Sequence, residues 1–503
     1  MNYLTLIMAI PLLGAALIAT LPQSKSLLAK QFALGTTLIA AVATIFMTTK
    51  FERSNTSLQF VESYDWIKAF GIKYAVGVDG IALVLIVMTA LLTPIVVLAG
   101  WNESEGGRWS TKTFYILILV LQTMSFGVFA ATDVFLFYVF FEAMLVPVYF
   151  LIGGYGSGER SAAAVKFLLY SLFGGLLMLA SIIGLYVLSG EQGGHTFNIA
   201  ALSQLEMSST TQNLLFLGFF IAFAIKAPLF PFHTWLPDAA KSATPGTSVL
   251  LLGVLDKVGT FGMIRYCLAL FPEATKTFTP LIITLSVISI VYGAFLAIGA
   301  KDIKRLIAYT SISHFGFITL GIFAMTSQAQ SGATLYMFNH AFSTAALFLV
   351  AGWMATRRGS STISDFGGLQ RITPIMAWSF FIAGLSSLAL PGLSSFVSEF
   401  LVLVGTFTRY PVAAIIATFG IVLAALYILI PVQRALHGPT TPGNENLKDL
   451  NLREKVAIAP VIAIIVVLGF YPAPLLNIIN PAAAYVVSQM GYSNPAPTMN
   501  GGK

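Results

Sequence analysis

The stretch between residues 213 and 257 constrains this chain most, because it combines membrane-like hydrophobicity with features that a lipid environment tolerates poorly. An apolar run carries Lys226 well inside it, three prolines interrupt the chain between Pro228 and Pro237, and a second apolar run carries Lys257. Lipid offers no water to backbone groups that proline leaves unpaired, so such a break survives only when it is buried in protein or lines a wet cavity. A lysine at bilayer depth costs ~2.5–3.5 kcal/mol on insertion scales and indicates an ion path or relay.

The composition indicates a polytopic membrane protein. The chain has 503 residues, of which 57% are hydrophobic and 9% are charged, whereas soluble domains carry about 25% charge. A single cysteine, Cys267, excludes a self-contained iron–sulfur cluster or disulfide. The net charge of +7 is spread over short loops without a basic patch, which argues against a nucleic-acid partner.

The apolar runs predict about fourteen transmembrane helices, since one span needs ~20 largely apolar residues. They lie near 2–21, 31–49, 78–100, 113–131, 133–152, 162–189, 213–230, 246–270, 278–299, 305–325, 332–355, 374–404, 411–433 and 456–473. A short piece near 234–241 follows the seventh and is expected to re-enter the membrane. The twelfth is interrupted in its middle by Pro391 and Gly392.

The fold class predicted is an all-α polytopic membrane protein with two inverted five-helix repeats and with helices 7 and 12 broken. The two broken helices lie five spans apart, and an odd number of helices per repeat inverts the second copy; this arrangement is typical of an ion site near the membrane midplane. The expected divisions are an N-terminal three-helix segment (1–112), the first repeat (113–270), the second repeat (278–433) and a loop, last helix and tail (434–503). The tail is expected to start near Asn480.

The distribution of basic residues predicts the orientation. Loops that follow odd-numbered spans hold most of the 27 lysines and arginines, and basic loops face the cytoplasm. Both termini are therefore expected on the opposite, periplasmic side, which an even number of spans also requires. Met1–Leu21 has no basic segment or cleavage site and is read as a retained first span.

Few ionisable residues fall within the predicted spans, and they form the candidate site. The sequence-derived set of proton-exchanging groups is Glu142, Lys226, Lys257, Glu399, His314 and His340. Burial disfavours the charged form of a side chain, and a nearby opposite charge favours it. The proton occupancy of a Glu142–Lys226 pair would therefore depend on the distance between the two groups. At an effective dielectric of ~20, two charges ~4 Å apart interact by about 4 kcal/mol. Histidines suit a relay because they titrate near neutrality.

A structural reading remains open for several of these charges. Buried ion pairs can simply join helices, and Arg265 near a helix end is read as a snorkelling or structural charge. Asp256 is interpreted either as part of the relay or as a group that neutralises a neighbouring charge. Asp133 is interpreted as the N-cap of the fifth helix. His233 at the broken segment fits a relay or a backbone cap.

Other chemistries lack sequence support. There is no phosphate-binding glycine motif, and no histidine spacing suits a metal site. We therefore expect neither a metal nor a cofactor in this chain, and no redox site of its own.

Six long motifs make the chain similar to a known family. Between about residues 75 and 435 it carries FFEAMLVPVYFLIGGYG, AIKAPLFPFHTWLPDA, GVLDKVGTFGMIRY, KRLIAYTSISHFGF, FNHAFSTAALFLVAG and LPGLSSFVSEF. It resembles the antiporter-like membrane subunits of respiratory complex I, which are related to subunits of Mrp-type sodium/proton antiporters. Glu399 stands where other branches of the family usually carry lysine, and the chain ends soon after its last span without a long lateral helix. The chain also departs from the family pattern directly after the motif AIKAPLFPFHTWLPDA. Relatives commonly have a second histidine there, whereas this chain has Ala240 followed by Lys241.

The resemblance implies residue roles. Glu142 and Lys226 would form a coupling pair, Lys257 would be the central relay, and Glu399 the terminal proton site. His314 and His340 would assist between Lys257 and Glu399.

The resemblance also implies a function: a proton-translocating subunit of NADH-quinone oxidoreductase in the bacterial inner membrane. FMN and iron–sulfur clusters would reside in partner subunits. Expected partners are neighbouring antiporter-like and small membrane subunits, membrane lipids and a respiratory supercomplex. The alternatives are an Mrp-type cation/proton antiporter subunit, a membrane-bound hydrogenase subunit, or a passive scaffold with fixed ion pairs.

Overall fold

The computed structural model describes residues 2–494, and helices dominate this part of the chain. The helices before the first break are α1 (Tyr3–Thr20), α2 (Ser26–Thr49), α3 (Gly80–Ala99), α4 (Thr111–Ala130), α5 (Val134–Ala143), α6 (Leu145–Tyr155), α7 (Arg160–Glu191), α8 (Ile199–Leu202) and α9 (Ser209–Lys226). Those after it are α10 (Leu236–Ser242), α11 (Pro245–Leu250), α12 (Asp256–Gly262), α13 (Pro272–Ile298), α14 (Ile303–Phe323), α15 (Ser327–Arg358), α16 (Leu369–Ile372), α17 (Pro374–Ser387), α18 (Ser394–Phe407), α19 (Pro411–Leu436), α20 (Leu452–Phe470) and α21 (Ala473–Gln489).

Twelve of the described helices are long and apolar enough to cross a membrane, or up to 13 when the bent pair α20 and α21 counts as one span. The all-α membrane fold predicted from the sequence is therefore confirmed, while the count of fourteen stays a prediction. Helices α17 and α18, the halves of the predicted twelfth span, are each too short to qualify alone.

The seventh span breaks where the sequence predicts. Helix α9 ends at Lys226, short of Pro228 and Pro231, and the chain resumes as the short helix α10. Proline cannot donate a backbone hydrogen bond, so carbonyls near the break need other donors. The indole Nε1 of Trp235 donates to the carbonyl of Ile225 at 2.9 Å. A side chain of the same segment thus satisfies a carbonyl at the end of α9.

The eighth span is one largely buried stretch, Pro245–Leu268, whose helical winding changes three times. Wider π-helical segments, Leu251–Leu255 and Met263–Leu268, flank α12. Such segments are rare and often occur at functional sites. They reorient the carbonyl groups beside Lys257.

The twelfth span also breaks as predicted, between α17 and α18. The side chain of Asn339 in α15 supports the start of α18, donating to the Ser394 carbonyl at 2.7 Å and to the Ser398 hydroxyl at 3.3 Å. Helix α15 therefore holds the second break in place.

Two segments differ from the sequence-based expectation. Gln59–Ile67 (β1) and Ile72–Val78 (β2) form an antiparallel hairpin between α2 and α3, where no strand was predicted. The expected tail from Asn480 is also wrong as a boundary, because α21 continues to Gln489. A hydropathy window of span length detects neither a short hairpin nor a mixed-polarity helix.

Ion pairs connect the helix ends next to the loops that follow the odd-numbered spans. Asp238 accepts from Lys166 at 2.8 Å and from Arg305 at 2.5 Å. Arg357 pairs with Glu454 at 2.5 Å. These loops therefore share one side of the bundle, which we call the basic side.

Candidate functional site

Lys226 is completely buried at the end of α9. Its Nζ has no hydrogen-bond partner within residues 2–494. It lies 4.9 Å from the ring centroid of Phe141 and 5.6 Å from that of Phe167. Aromatic faces attract a cation, most strongly where water is excluded. The ammonium is thus held by rings and remains free to form a hydrogen bond.

Glu142 follows Phe141 in α5 and shares the environment of Lys226. Its Oε1 is buried without a hydrogen-bond partner in the described chain. The two groups make no hydrogen bond with each other, since the Lys226 ammonium has no partner among the described residues. The opposite wall is Gly175 of α7, where a Cβ would collide with the Glu142 carboxylate.

Lys257 lies in the middle of the eighth span and is fully buried. Its Nζ donates to the Leu252 carbonyl at 2.5 Å, a group in the first π-helical segment. Its Nζ is also 2.6 Å from Nδ1 of His340 in α15, and 4.8 Å from the Phe315 ring centroid. The π-helical winding therefore supplies an acceptor that fixes the lysine beside a histidine.

His340 has hydrogen-bond partners on both ring nitrogens. Its Nε2 lies 3.2 Å from the Ser311 hydroxyl and 3.2 Å from the Thr344 hydroxyl. Since Nδ1 faces Lys257, the imidazole can accept a proton on one nitrogen and release one from the other. This geometry suits a relay.

His314 continues the line towards the second broken span. Its ring centroid lies 5.2 Å from that of His340. Its Nε2 is 3.4 Å from the Tyr427 hydroxyl, and Tyr336 stacks obliquely at 5.8 Å. Glu399 is also buried, in α18, which packs against α14 and α15, the helices that carry the two histidines.

The structure thus brings four sequence-predicted groups into one buried row, Lys257, His340, His314 and Glu399. Glu142 and Lys226 form a second cluster beside it. Hydrogen-bond contacts join Lys257 to His340 and His314 to Tyr427. Between them, the rings of His340 and His314 are neighbours with centroids 5.2 Å apart, without a hydrogen bond from one to the other in the described residues.

Sequence reasoning missed Tyr336, Tyr427 and Ser311. An aromatic or small hydroxyl residue at helical spacing is indistinguishable from ordinary core packing in a single sequence. Their burial and their contacts with the histidines identify them only once the helices are assembled.

Two of the residues with open interpretations, Asp133 and Arg265, take structural positions. Asp133 caps α5 by accepting from the backbone N–H groups of Phe135 and Leu136 at 3.0 and 2.9 Å, as predicted. Arg265 pairs with Asp79 at 3.0 Å. His233 packs on Tyr292 at 5.3 Å, and its Nδ1 makes no hydrogen bond in the part of the chain described.

A polar cavity of about 860 Å³ opens on the basic side, beneath the first break. Lys166, Lys241, Lys304 and Arg305 line it together with three acidic residues. Lys241 lies 3.9 Å from Asp302, so it faces this cavity and does not occupy the place of the missing histidine at Ala240. Within residues 2–494, no cluster of three histidine, cysteine or acidic side chains could hold a metal ion.

Two family models match the sequence. Residues 131–424 match the model described as NADH:quinone oxidoreductase/Mrp antiporter, transmembrane. Residues 25–126 match the amino terminus of NADH-ubiquinone oxidoreductase chain 4. The first match includes all six site residues predicted from the sequence.

Full-length relatives and solved structures agree with these matches. The chain is 48% identical to NADH-quinone oxidoreductase subunit M of Mycobacterium tuberculosis, covering 99% of this chain and 96% of that protein. A chain of respiratory complex I from Thermus thermophilus superposes with a TM-score of 0.88 at 29% identity, covering 97% of this chain and all of that one. A chain of the Mrp complex from Dietzia superposes with a TM-score of 0.85 at 22% identity, covering 97% and 99%, and shows a shared fold.

Proposed function

Because this chain belongs to the NADH:quinone oxidoreductase/Mrp antiporter family of membrane subunits, we propose that it translocates protons as subunit M of an NADH-quinone oxidoreductase. Electron transfer from NADH to quinone in other subunits would drive this movement. The choice of subunit M rests on the 48% identity over nearly the full length and on Glu399, which stands at the second broken span.

The observation that supports this function best is the buried contact between Lys257 and His340, at 2.6 Å. The Lys257 ammonium can transfer a proton to His340 Nδ1, which leaves a neutral amine and an imidazolium. The imidazolium can release its Nε2 proton towards the Ser311 hydroxyl, and His314, whose ring centroid lies 5.2 Å from that of His340, would be the next acceptor. Glu399 would receive the proton at the far end, through the tyrosine hydroxyls around His314.

Glu142 and Lys226 would control this row. The Lys226 ammonium has no hydrogen bond that fixes it to one acceptor among the described residues, so a charge change in a neighbouring subunit can displace it relative to Glu142. A change of separation alters how strongly each group favours its charged form. Displacement thereby becomes a change in proton occupancy.

The redox groups would lie elsewhere in the complex. FMN and iron–sulfur clusters in partner subunits would carry the electrons, with no redox site in this chain. Neighbouring antiporter-like and small membrane subunits would flank it in the bacterial inner membrane, within lipid and within a respiratory supercomplex. The basic side would face the cytoplasm and both termini the periplasm.

The two broken spans would mark two inverted repeats, 113–270 and 278–433, between an N-terminal segment (1–112) and a C-terminal one (434–503). Each repeat then contributes one interrupted helix to the midplane, as in transporters built on this principle. The parallel supports a shared origin for the Lys226 and Glu399 positions.

A direct test replaces Glu142 by glutamine in the intact complex. The proposal predicts that fewer protons are pumped per NADH oxidised in inverted membrane vesicles, with normal complex assembly. Glu191→Gln, an exposed position at the end of α7, is the matched control and should leave pumping unchanged. Wild-type pumping and wild-type quinone reductase activity in Glu142→Gln would overturn the proposed function.

A further inference from the structure

Asp256 is a buried carboxylate that the row described above does not use. It begins α12, immediately before Lys257, and is fully buried. Neither of its carboxylate oxygens has a hydrogen-bond partner within the described residues. A buried carboxylate in this condition needs an opposite charge nearby to remain ionised.

Two ammonium groups supply that charge, and they belong to the two different clusters. Lys257 is the next residue in the chain, and Lys226 ends α9, the helix against which α12 packs. Glu142 accompanies Lys226 in its own cluster, whereas the two groups that contact the Lys257 ammonium, the Leu252 carbonyl and His340, carry no negative charge. Asp256 is thus the shared group.

Helix packing brings this acid close to the end of α9. One turn beyond Asp256, Gly259 abuts the backbone of α9 at Phe223 and Ala227, which lie one turn before and directly after Lys226. Asp256 therefore begins the helix that packs against the end of α9, where Lys226 lies.

We propose that Asp256 is a counterion shared by Lys226 and Lys257, and that this sharing transmits the movement of Lys226 to the proton on Lys257. The proposal rests on the proposed function and adds a positioning residue to it. One carboxylate cannot fully stabilise two ammonium groups at once. When Lys226 leaves Glu142 and approaches Asp256, the negative charge is neutralised there and no longer stabilises the ammonium form of Lys257.

The proton balance of the step is simple. Lys257 then gives one proton from Nζ to Nδ1 of His340, so the lysine becomes neutral and the histidine becomes cationic. Asp256 stays ionised throughout and carries no proton itself. When Lys226 returns to Glu142, the Asp256 charge again favours an ammonium at Lys257, and Lys257 takes up a proton from the basic side.

The test compares Asp256→Asn and Asp256→Glu in the intact complex, with Asp65→Asn in the exposed strand β1 as the matched control. Asp256→Asn should lower the rate of proton pumping by about tenfold, the factor that one pKa unit represents, with normal amounts of assembled complex. Asp256→Glu keeps the charge on a longer stem and should retain more than half of the pumping. It should also shift the pH profile of pumping, which reports on Asp256, Lys226, Lys257 and Glu142 together.

The outcomes separate this inference from the function on which it rests. Wild-type pumping in assembled Asp256→Asn, while Glu142→Gln has lost pumping, overturns the shared counterion alone. Loss in neither variant overturns the proposed function as well. If Asp256→Asn fails to assemble, Asp256→Glu decides: a shifted pH profile supports the counterion, and a wild-type profile overturns it.

Discussion

Lys226 shows how a membrane protein can keep a charge in its interior without fixing it to one partner. The rings of Phe141 and Phe167 lie within 6 Å of its Nζ and stabilise a cation from several directions. A tight ion pair with Glu142 would instead hold both groups in one geometry. An ammonium held by aromatic faces can move between Glu142 and Asp256 at a lower free-energy cost than an ammonium held in a tight ion pair.

Glu103, in the loop between α3 and α4, is a carboxylate outside the spans whose pKa is shifted by its surroundings. Burial raises the pKa of Glu103 above its ordinary value of 4.5, against a hydrogen bond from the Gly246 backbone and attraction by Lys304 and Arg453. A carboxyl group with a raised pKa binds more protons in the folded protein than in the unfolded one, so its contribution to stability falls as the pH rises above 4.5.

Glu103→Gln removes this titration, because the amide stays neutral. The thermal unfolding midpoint of the wild-type complex minus that of the variant should therefore decrease as the pH rises from 4.5. A difference that stays constant or grows with pH would contradict the assignment.

The sequence predicted which residues are buried and ionisable, since a charge inside an apolar run is conspicuous. It did not predict the individual hydrogen bonds that these residues make. The contact of Lys257 with Leu252 depends on a π-helical segment, and the winding of a helix has no signature in composition. The hydroxyl of Tyr427 reaches His314 from a helix more than 100 positions along the chain.

The helices around the first break depend on one close approach. At Gly259, a Cβ would lie 2.5 Å from the Phe223 carbonyl oxygen and 2.6 Å from the Ala227 nitrogen. Both are backbone atoms, so a side chain there can be accommodated only by moving α12 away from α9. The separation of the two lysines therefore depends on glycine at this position.

Gly259→Ala should destabilise the subunit by ~1–3 kcal/mol, the usual cost of overpacking, and should lower both the amount of assembled complex and its thermal midpoint. Gly35→Ala in α2 is the control, because nothing lies within 4 Å of a Cβ there and alanine favours a helix by ~0.5–1 kcal/mol. Equal stability of the two variants would show that α9 and α12 are not held this closely.

At the level of helices, the sequence predicted most boundaries within a few residues, because each span needs a long apolar run. Both breaks followed from proline. The hairpin of β1 and β2 escaped because its signal is a two-residue alternation of β-branched and aromatic side chains, as in the cross-strand pair Tyr64 and Tyr74. A span-length window averages that alternation away.

The whole bundle is predicted to have one orientation, which labelling can test. Cys267 is the single cysteine and is buried, so Cys267→Ser provides a background without thiols. Ser24→Cys places one in an exposed loop of the basic side, and Ser54→Cys places one in the exposed loop after α2.

A membrane-impermeant thiol reagent added to intact cells should label Ser54→Cys and spare Ser24→Cys, and inverted vesicles should show the reverse. Labelling of both positions from one side would refute the predicted topology. The even spacing of basic loops made this orientation predictable, whereas the contacts that gather those loops, such as Arg305 with Asp238, required the assembled fold.

The central claim is that acids and bases buried in this bundle carry protons, and Lys257→Met tests it most directly because methionine keeps the length and apolar stem of lysine. The measurement is the number of protons pumped per NADH oxidised in inverted vesicles, normalised to assembled complex, with Lys448→Met in an exposed loop as control. We expect this ratio to fall in Lys257→Met and to remain at the wild-type value in Lys448→Met. An unchanged ratio in a fully assembled Lys257→Met complex would contradict the account.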